Sequence, residues 1–357
     1  GDPIRPLQYT VESEAFQLPT PIRTGYIFLG WTGEGITEPQ KTIEIPQGGT
    51  GDRTYTANWQ VIEYTIITLL EGGNAGSSGE YFYTVEQTVT LPTPTRTGYT
   101  FLGWTGEGIT TPQPNVTIPK GSTGDKTYIE NWELTEYNIT MDLNGGSGQE
   151  KVVYTITDEE FELPTPTRNG YEFVGWTGER ITTPQTSVKI PKGSTGNKAY
   201  TANWKVIRYT ITLVTNGGAV IASIRYTVED SVTLPIPPDR PGYEFSGWVL
   251  DGSGQFPSTP MIIPKGSTGD RIYKAEWRVA SYTITYVSHG KAYNWVQYTI
   301  NNQVYFGTPE EDPSYYLPGY TFVGWKIDGV EGTPRSYMLP KGSYGNRTAT
   351  MLWEPIP

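Results

Sequence analysis

The residues able to do chemistry in this chain of 357 are few, and most recur at fixed places. A carboxylate follows Trp-Thr-Gly at Glu34, Glu107 and Glu179, with Asp251 nearby in a fourth copy. Glycosidase carboxylates need a partner ~5–10 Å away across a cleft; the plainer reading is a solvated turn after a strand. Denser acidic runs stand at Asp158-Glu159-Glu160 and Glu310-Glu311-Asp312. They could attract Ca²⁺ but lack the alternating ligand spacing of a calcium loop, and they read as solvated surface. A Gly-Ser-Thr-Gly or Gly-Ser-Tyr-Gly string follows Lys120, Lys192, Lys265 and Lys341. For a phosphate loop the order is wrong, because the Lys precedes the glycines and no long helix follows. A wide turn is expected instead. Lys192 or Lys265 with Asn203 or Asn131 could form an isopeptide only if buried together with a carboxylate. His289, the one imidazole, lies in Ser-His-Gly-Lys where sister segments have a glycine turn, so a turn residue is expected rather than a triad base. With no Cys there is no disulfide, thiolate metal site or Cys nucleophile. No catalytic, cofactor-binding or metal-ligating residue is assigned, no cofactor is expected, and the chain reads as non-enzymatic.

Charge and composition narrow the partners. A net charge of -11, from 26 basic and 37 acidic residues, opposes nucleic acid and anionic lipid. No apolar run reaches 18 residues, so no membrane insertion is expected. The aromatics are plentiful, with 11 Trp and 26 Tyr, and they carry the organisation.

The string Gly-Tyr-x-Phe-x-Gly-Trp occurs five times, ending at Trp31, Trp104, Trp176, Trp248 and Trp325. The spacings are 73, 72, 72 and 77 residues. A second series, Trp59, Trp132, Trp204, Trp277 and Trp353, follows 28 or 29 residues after the first. Leu-Pro-Thr-Pro or a relative precedes each of the first four Gly-Tyr strings, and an IPKGSTGD-like segment lies between the two Trp of each copy. Self-similarity of this kind marks a tandem array. The copies are placed at residues 1–61, 62–134, 135–206, 207–279 and 280–357.

Within a copy the pattern has period two, as in YNITMDL and YTITLVT, which reads as strands. Strands flanking a Gly pair suggest a hairpin. A third strand should carry Tyr-x-Phe-x-Gly-Trp, and shorter ones VTIP and TYTANW. No long helix is expected, at most one helical turn near the Leu-Pro-Thr-Pro segment. Five residues separate Trp59 from Tyr64, Trp132 from Tyr137, Trp204 from Tyr209 and Trp277 from Tyr282. With no flexible linker between copies, an elongated rod is expected. Repeat one lacks the opening strand of the others, so either the chain is a piece of a longer protein or the folding unit is permuted.

These residues resemble the Listeria–Bacteroides repeat, known also from the B repeats of internalin B, over nearly the whole chain. The resemblance implies a mainly β chain of small antiparallel β-grasp-like domains. It further implies an extracellular location on the bacterial cell surface, a stalk or spacer role with weak adhesion, and a core reading for all ten paired Trp. The two Trp, a Tyr and a Phe of each copy would bury ~150–250 Å² each, which a ~72-residue domain without disulfides needs. No role is assigned to the IPKGSTGD segment.

Repeat five departs most and is the best place for a specific function. It adds Tyr293 and the unpaired Trp295, with Tyr305, Phe306, Tyr315 and Tyr316 in a following loop. Exposed aromatic faces could stack on sugar rings, giving an alternative reading as a carbohydrate- or host-receptor-binding module. Against it stands the tendency of terminal repeats to be atypical because they cap an array. The partners expected are a host glycan or cell-surface receptor at most, and the chain is expected to be a monomer.

Overall fold

In Tyr137–Asp142 (YNITMD), Ile139 and Met141 are buried while Thr140 and Asp142 face solvent. The two-residue period of a strand puts alternate side chains on opposite faces. This opening strand makes a hairpin with Lys151–Tyr154. Asn144 and Gly145 lead the turn with φ of 47° and 81°, the positive values a tight strand reversal uses. The computed structural model describes residues 4–72, 79–309 and 317–357, and repeats two to five follow this pattern with local changes.

Repeat three shows the full unit. Its sheet runs in the order hairpin strand, opening strand, closing strand Lys198–Val206, Gly-Trp strand Tyr171–Gly178, and edge strand Ile181–Gln185. A separate short pair, Phe161–Glu162 with Lys189–Ile190, closes the core from the other side. Repeat two has the same five-strand order, repeats four and five have four strands, and repeat one has three. The unit is mainly antiparallel, as expected, with one parallel pairing at the centre of the sheet. Opening and closing strands run parallel, Ile139 beside Lys198 through Asp142 beside Thr201. The crossover between them holds the other strands, so the pairing is one that local pattern does not reveal. The closing strand, expected to be short, is nine residues long in repeats two to five. The Leu-Pro-Thr-Pro segments form no helical turn, and no α-helix occurs among the described residues.

The spacing of Phe and Trp in Tyr-x-Phe-x-Gly-Trp has a geometric cause. Residues three apart on a regular strand would face opposite ways, yet Phe173 and Trp176 pack with ring centroids 5.4 Å apart. A β-bulge between Phe173 and Gly175 brings them to one face. Gly175 permits it, with φ of 138° and the Gln185 backbone 2.5 Å from where a Cβ would sit. Trp176 is 1% exposed and joins Ile139, Met141, Tyr154, Leu163 and Ile190 in the core.

The two Trp series differ in depth. Trp31, Trp104, Trp176, Trp248 and Trp325 are buried. Trp59, Trp132, Trp204, Trp277 and Trp353 are half-buried. Each of these lies edge-on against the Phe of its copy, Trp204 at 5.5 Å from Phe173. In repeat five the core is refilled by exchange: Tyr286 faces Ala349 where repeat three pairs Met141 with Tyr200. The large ring has moved from the closing strand to the opening strand, which conserves volume.

Consecutive copies are joined by two residues, as between Val206 and Tyr209. At each joint the first connector residue donates its N–H to a glycine carbonyl, Ile207 to Gly170 at 2.9 Å and Ala280 to Gly242 at 3.0 Å.

Candidate functional site

The recurrent carboxylates are tied into the scaffold. Glu34, Glu107 and Glu179 sit in turns with φ of 47°, 50° and 51°. Their Oε1 atoms accept the backbone N–H of Thr54, Thr127 and Ala199 at 3.3, 3.1 and 3.3 Å. Asp251 lies 2.6 Å from Lys274 Nζ. The three glutamates therefore hold the start of a closing strand against the turn before it, and Asp251 grips its strand further along, at Lys274. In the run at 158–160, Asp158 accepts the Thr155 N–H at 2.8 Å, Glu159 pairs with Lys192 and Glu160 with Lys189. The run Glu310-Glu311-Asp312 lies outside the described residues.

The IPKGSTGD segment, without a role from sequence, is a clamp on the opening hairpin. Asp125 Oδ1 accepts the Thr65 N–H at 2.8 Å, and Asn197, Asp270 and Asn346 do the same for Asn138, Thr210 and Thr283. Acceptance by a side-chain oxygen, and not charge, is what Asp and Asn share here. The hairpin Tyr hydroxyl donates to the glycine carbonyl just before, Tyr154 to Gly196 and Tyr226 to Gly269 at 2.6 Å each. Asn203, drafted for an isopeptide, donates instead to Gly175 O at 3.1 Å and Thr177 Oγ1 at 3.0 Å. Lys192 is an exposed ion-pair partner, so the buried set such a bond needs is not formed. His289, with φ of 49°, occupies a two-residue hairpin turn with Gly290 and stacks on Trp353 at 6.0 Å.

A feature the sequence reading missed lies at the joints. The residue after each hairpin Tyr-Thr pair presses on the glycine of Gly-Tyr in the preceding copy. A Cβ on Gly25, Gly98, Gly170 or Gly242 would lie 2.1–2.6 Å from Val85, Ile156, Val228 or Ile300 respectively. Tyr26 and Tyr171 add hydroxyl bonds across the joint to Glu86 and Glu229. These glutamate contacts raise the tyrosines' pKa above the ordinary value, with the hydrogen bond as the largest cause. Arg23, Arg96, Arg168 and Arg240 lie 3.6–3.9 Å over the faces of Tyr26, Tyr99, Tyr171 and Tyr243. Val and Ile recurring two after that Tyr were the available signal.

The aromatic candidates of repeat five separate in space. Tyr293 is half-buried against the core, its ring 6.2 Å from Tyr286. Tyr293 and Tyr305 line one cleft with Asn294, Val296 and Pro309. Trp295 is 64% exposed on the hairpin edge strand Lys291–Tyr298 and does not line that cleft. Tyr305 is exposed, whereas Phe306 is buried in the core. Tyr315 and Tyr316 lie outside the described residues.

An array of small β sheets, with the same clamp in repeats two to five and the same backbone bond between copies, defines a tandem-repeat molecule. The chain belongs to the Listeria-Bacteroides repeat domain family, which it matches at residues 2–61, 64–128, 137–203, 209–268 and 282–341. It is 27% identical over 280 residues to a "Putative Gly-rich membrane protein" of Evansella cellulosilytica, covering 76% of this chain and 31% of that protein. A "Putative membrane protein" of the same organism is 25% identical over 284 residues, with 77% and 41% covered. Internalin H of Listeria monocytogenes is 32% identical over 83 residues, covering 23% of this chain and 15% of that protein. The chain thus spans less than half the length of these relatives.

Proposed function

We propose that this chain is the surface repeat region of a bacterial membrane- or wall-associated protein and works there as a non-enzymatic spacer. The observation that carries the reading is the repeated joint: two-residue connectors, a glycine–aliphatic contact and a backbone bond at each boundary. Five units held in this way extend in one direction, where flexible linkers would not. Glu34, Glu107 and Glu179, the hairpin tyrosines, and the clamp Asp or Asn of repeats two to five have scaffold partners, which supports a structural role for the repeated features. The names of the relatives, two membrane proteins and an internalin, support a location at the cell surface. The test is protease shaving and antibody labelling of intact cells of the source organism. Labelling before lysis is expected; labelling only after lysis refutes the surface location.

Repeat five favours an adhesive second reading. Trp295 is 64% exposed on the edge strand, and Tyr305, 52% exposed, lies at the cleft that holds Tyr293. Flat apolar rings flanked by amide groups such as Asn294 suit a sugar, whose C–H face stacks and whose hydroxyls accept and donate hydrogen bonds. Glycan-array binding by the full chain, lost in Trp295→Ala with Tyr305→Ala, is the expected result for this reading. Binding unchanged by the pair, or no binding by the unaltered chain, removes it.

A further inference from the structure

Three Asn-Gly pairs occur in the chain, at Asn144, Asn169 and Asn216. In such a pair the glycine's backbone nitrogen can attack the asparagine's side-chain carbonyl, because no Cβ crowds the approach. We infer that Asn169, at the joint of repeats three and four, is a self-modification site: its amide is lost through a succinimide, and the lengthened backbone then loosens that joint. Asn169 is exposed and stands second in the turn Arg168 to Tyr171, which the Tyr171 N–H closes on the Arg168 carbonyl at 3.1 Å. Gly170 takes the third place with φ of 77°, the value a type II turn needs there. Neither the Asn169 amide nor the Gly170 N–H has a hydrogen-bond partner among the described residues.

The other two pairs are tied down. Asn144 Nδ2 donates to the Ala202 carbonyl at 3.2 Å, and the Asn144 N–H donates to Asp142 Oδ1 at 2.9 Å. Asn216 Nδ2 donates to the Ala275 carbonyl at 2.9 Å. An amide held in this way must break its bond before its carbonyl carbon can swing onto the following nitrogen. At the position of Asn169 the other copies carry Thr24, Thr97, Pro241 and Pro318, none with a side-chain carbonyl.

The reaction needs only water. The Gly170 nitrogen gives its proton to hydroxide and bonds to Asn169 Cγ; the Cγ–Nδ2 bond breaks, ammonia departs with a proton from water, and a five-membered succinimide closes. Water then opens the ring at either carbonyl, leaving aspartate or isoaspartate at position 169. One water is taken up, one ammonia is released, and nothing is oxidised or reduced. The isoaspartate inserts one backbone carbon, about 1.5 Å of chain, before Gly170. Gly170 has no slack to absorb it. A Cβ there would lie 2.5 Å from Val228 Cβ, and its carbonyl accepts the Ile207 N–H at 2.9 Å. Tyr171, the next residue, bonds Glu229 across the same joint. Moving the glycine strains these contacts together, so the joint carries a one-way timer.

The test follows the full chain through a long incubation in mildly alkaline buffer, with peptide mapping by mass spectrometry at intervals. Position 169 should convert at least about threefold faster than positions 144 and 216, the factor one held hydrogen bond supplies. In urea, with the turns unfolded, the three should convert at similar rates. In the converted protein the Ile207 amide should exchange faster, while Ile139 in the core of repeat three stays protected. Asn169→Thr, the residue of the first two joints, should neither convert nor lose Ile207 protection over the same period. Asn169→Asp supplies the new charge without the longer backbone and should also keep Ile207 protected. Conversion at 144 or 216 as fast as at 169 in the native chain overturns the proposal. Unchanged Ile207 exchange after conversion overturns it as well, as does equal loss of protection in Asn169→Asp.

Discussion

Gly242 and Gly319 form a natural experiment on the joints. Both precede the Tyr of a Gly-Tyr string, with φ of 81° each. Both carbonyls accept a backbone N–H at 3.0 Å, from Ala280 and Ile356 respectively. They differ in one respect: a Cβ on Gly242 would meet Ile300 Cγ2 at 2.3 Å, whereas one on Gly319 meets nothing within 4 Å. Gly319→Ala therefore carries only the left-handed backbone strain, about 1–2 kcal/mol. Gly242→Ala adds overpacking against the next copy, about 1–3 kcal/mol more. Ile300→Ala in the same chain leaves Cβ at 3.4 Å, an ordinary contact, and should return the double variant to about the Gly319→Ala cost apart from the lost Ile burial. Native-state hydrogen exchange reads the opening free energy of repeats four and five separately. Equal losses in Gly242→Ala and Gly319→Ala would refute the packed joint, and with it the reason to expect neighbouring copies to hold a fixed relation.

Trp176→Ala should cost about 3–5 kcal/mol in the exchange-measured stability of repeat three, because a buried indole leaves a cavity; Trp204→Ala, half-buried, should cost less. Asp270→Ala should remove the acceptor of the Thr210 N–H, at about 0.5–1.5 kcal/mol, and deprotect that amide. Asp52→Ala, with no opening strand beside it, should stay within about 0.5 kcal/mol. The Asp230 carboxyl is held below its ordinary value, first by the Thr227 hydroxyl and then by the Thr227 backbone N–H. Its contribution to stability is present above the unfolded carboxyl pKa and is lost as pH falls through the depressed folded value. A carboxyl NMR titration should show the Asp230 midpoint rising in Thr227→Val; an unmoved midpoint contradicts the assignment.

Much of the fold was legible because the array repeats its own punctuation. The recurring Trp31 to Trp325 are buried, and the alternation in Tyr137–Asp142 marked a strand, whose Ile139 and Met141 the fold buries. The turn readings of His289 and of Glu34, Glu107 and Glu179 agree with their positive φ values, and the glutamates also accept backbone N–H groups. The parallel pairing of opening and closing strands was hidden, since its partners are about 60 residues apart and share no local pattern. The half-burial of the second Trp series was hidden for a similar reason: exposure depends on where the sheet ends, while residue type was the same in both series. The clamp could have been found. Asp and Asn alternate at positions 125, 197, 270 and 346, and the property they have in common is a carbonyl-like acceptor. The glycine–aliphatic joint showed as two conserved-looking letters in each copy, but contact between copies needs three dimensions to appear. For repeat five, the sequence grouped Tyr293, Trp295 and Tyr305; the fold divides them between one cleft and an exposed edge.

Small-angle scattering of the intact chain tests the spacer account most directly. A 72-residue unit has a radius of gyration of about 11 Å and a diameter near 29 Å, so five in line give roughly 145 Å and an overall radius of gyration of about 40 Å. The account predicts that value, unchanged across protein concentration. A radius of about 20–25 Å, that of one collapsed globule of this length, would contradict it.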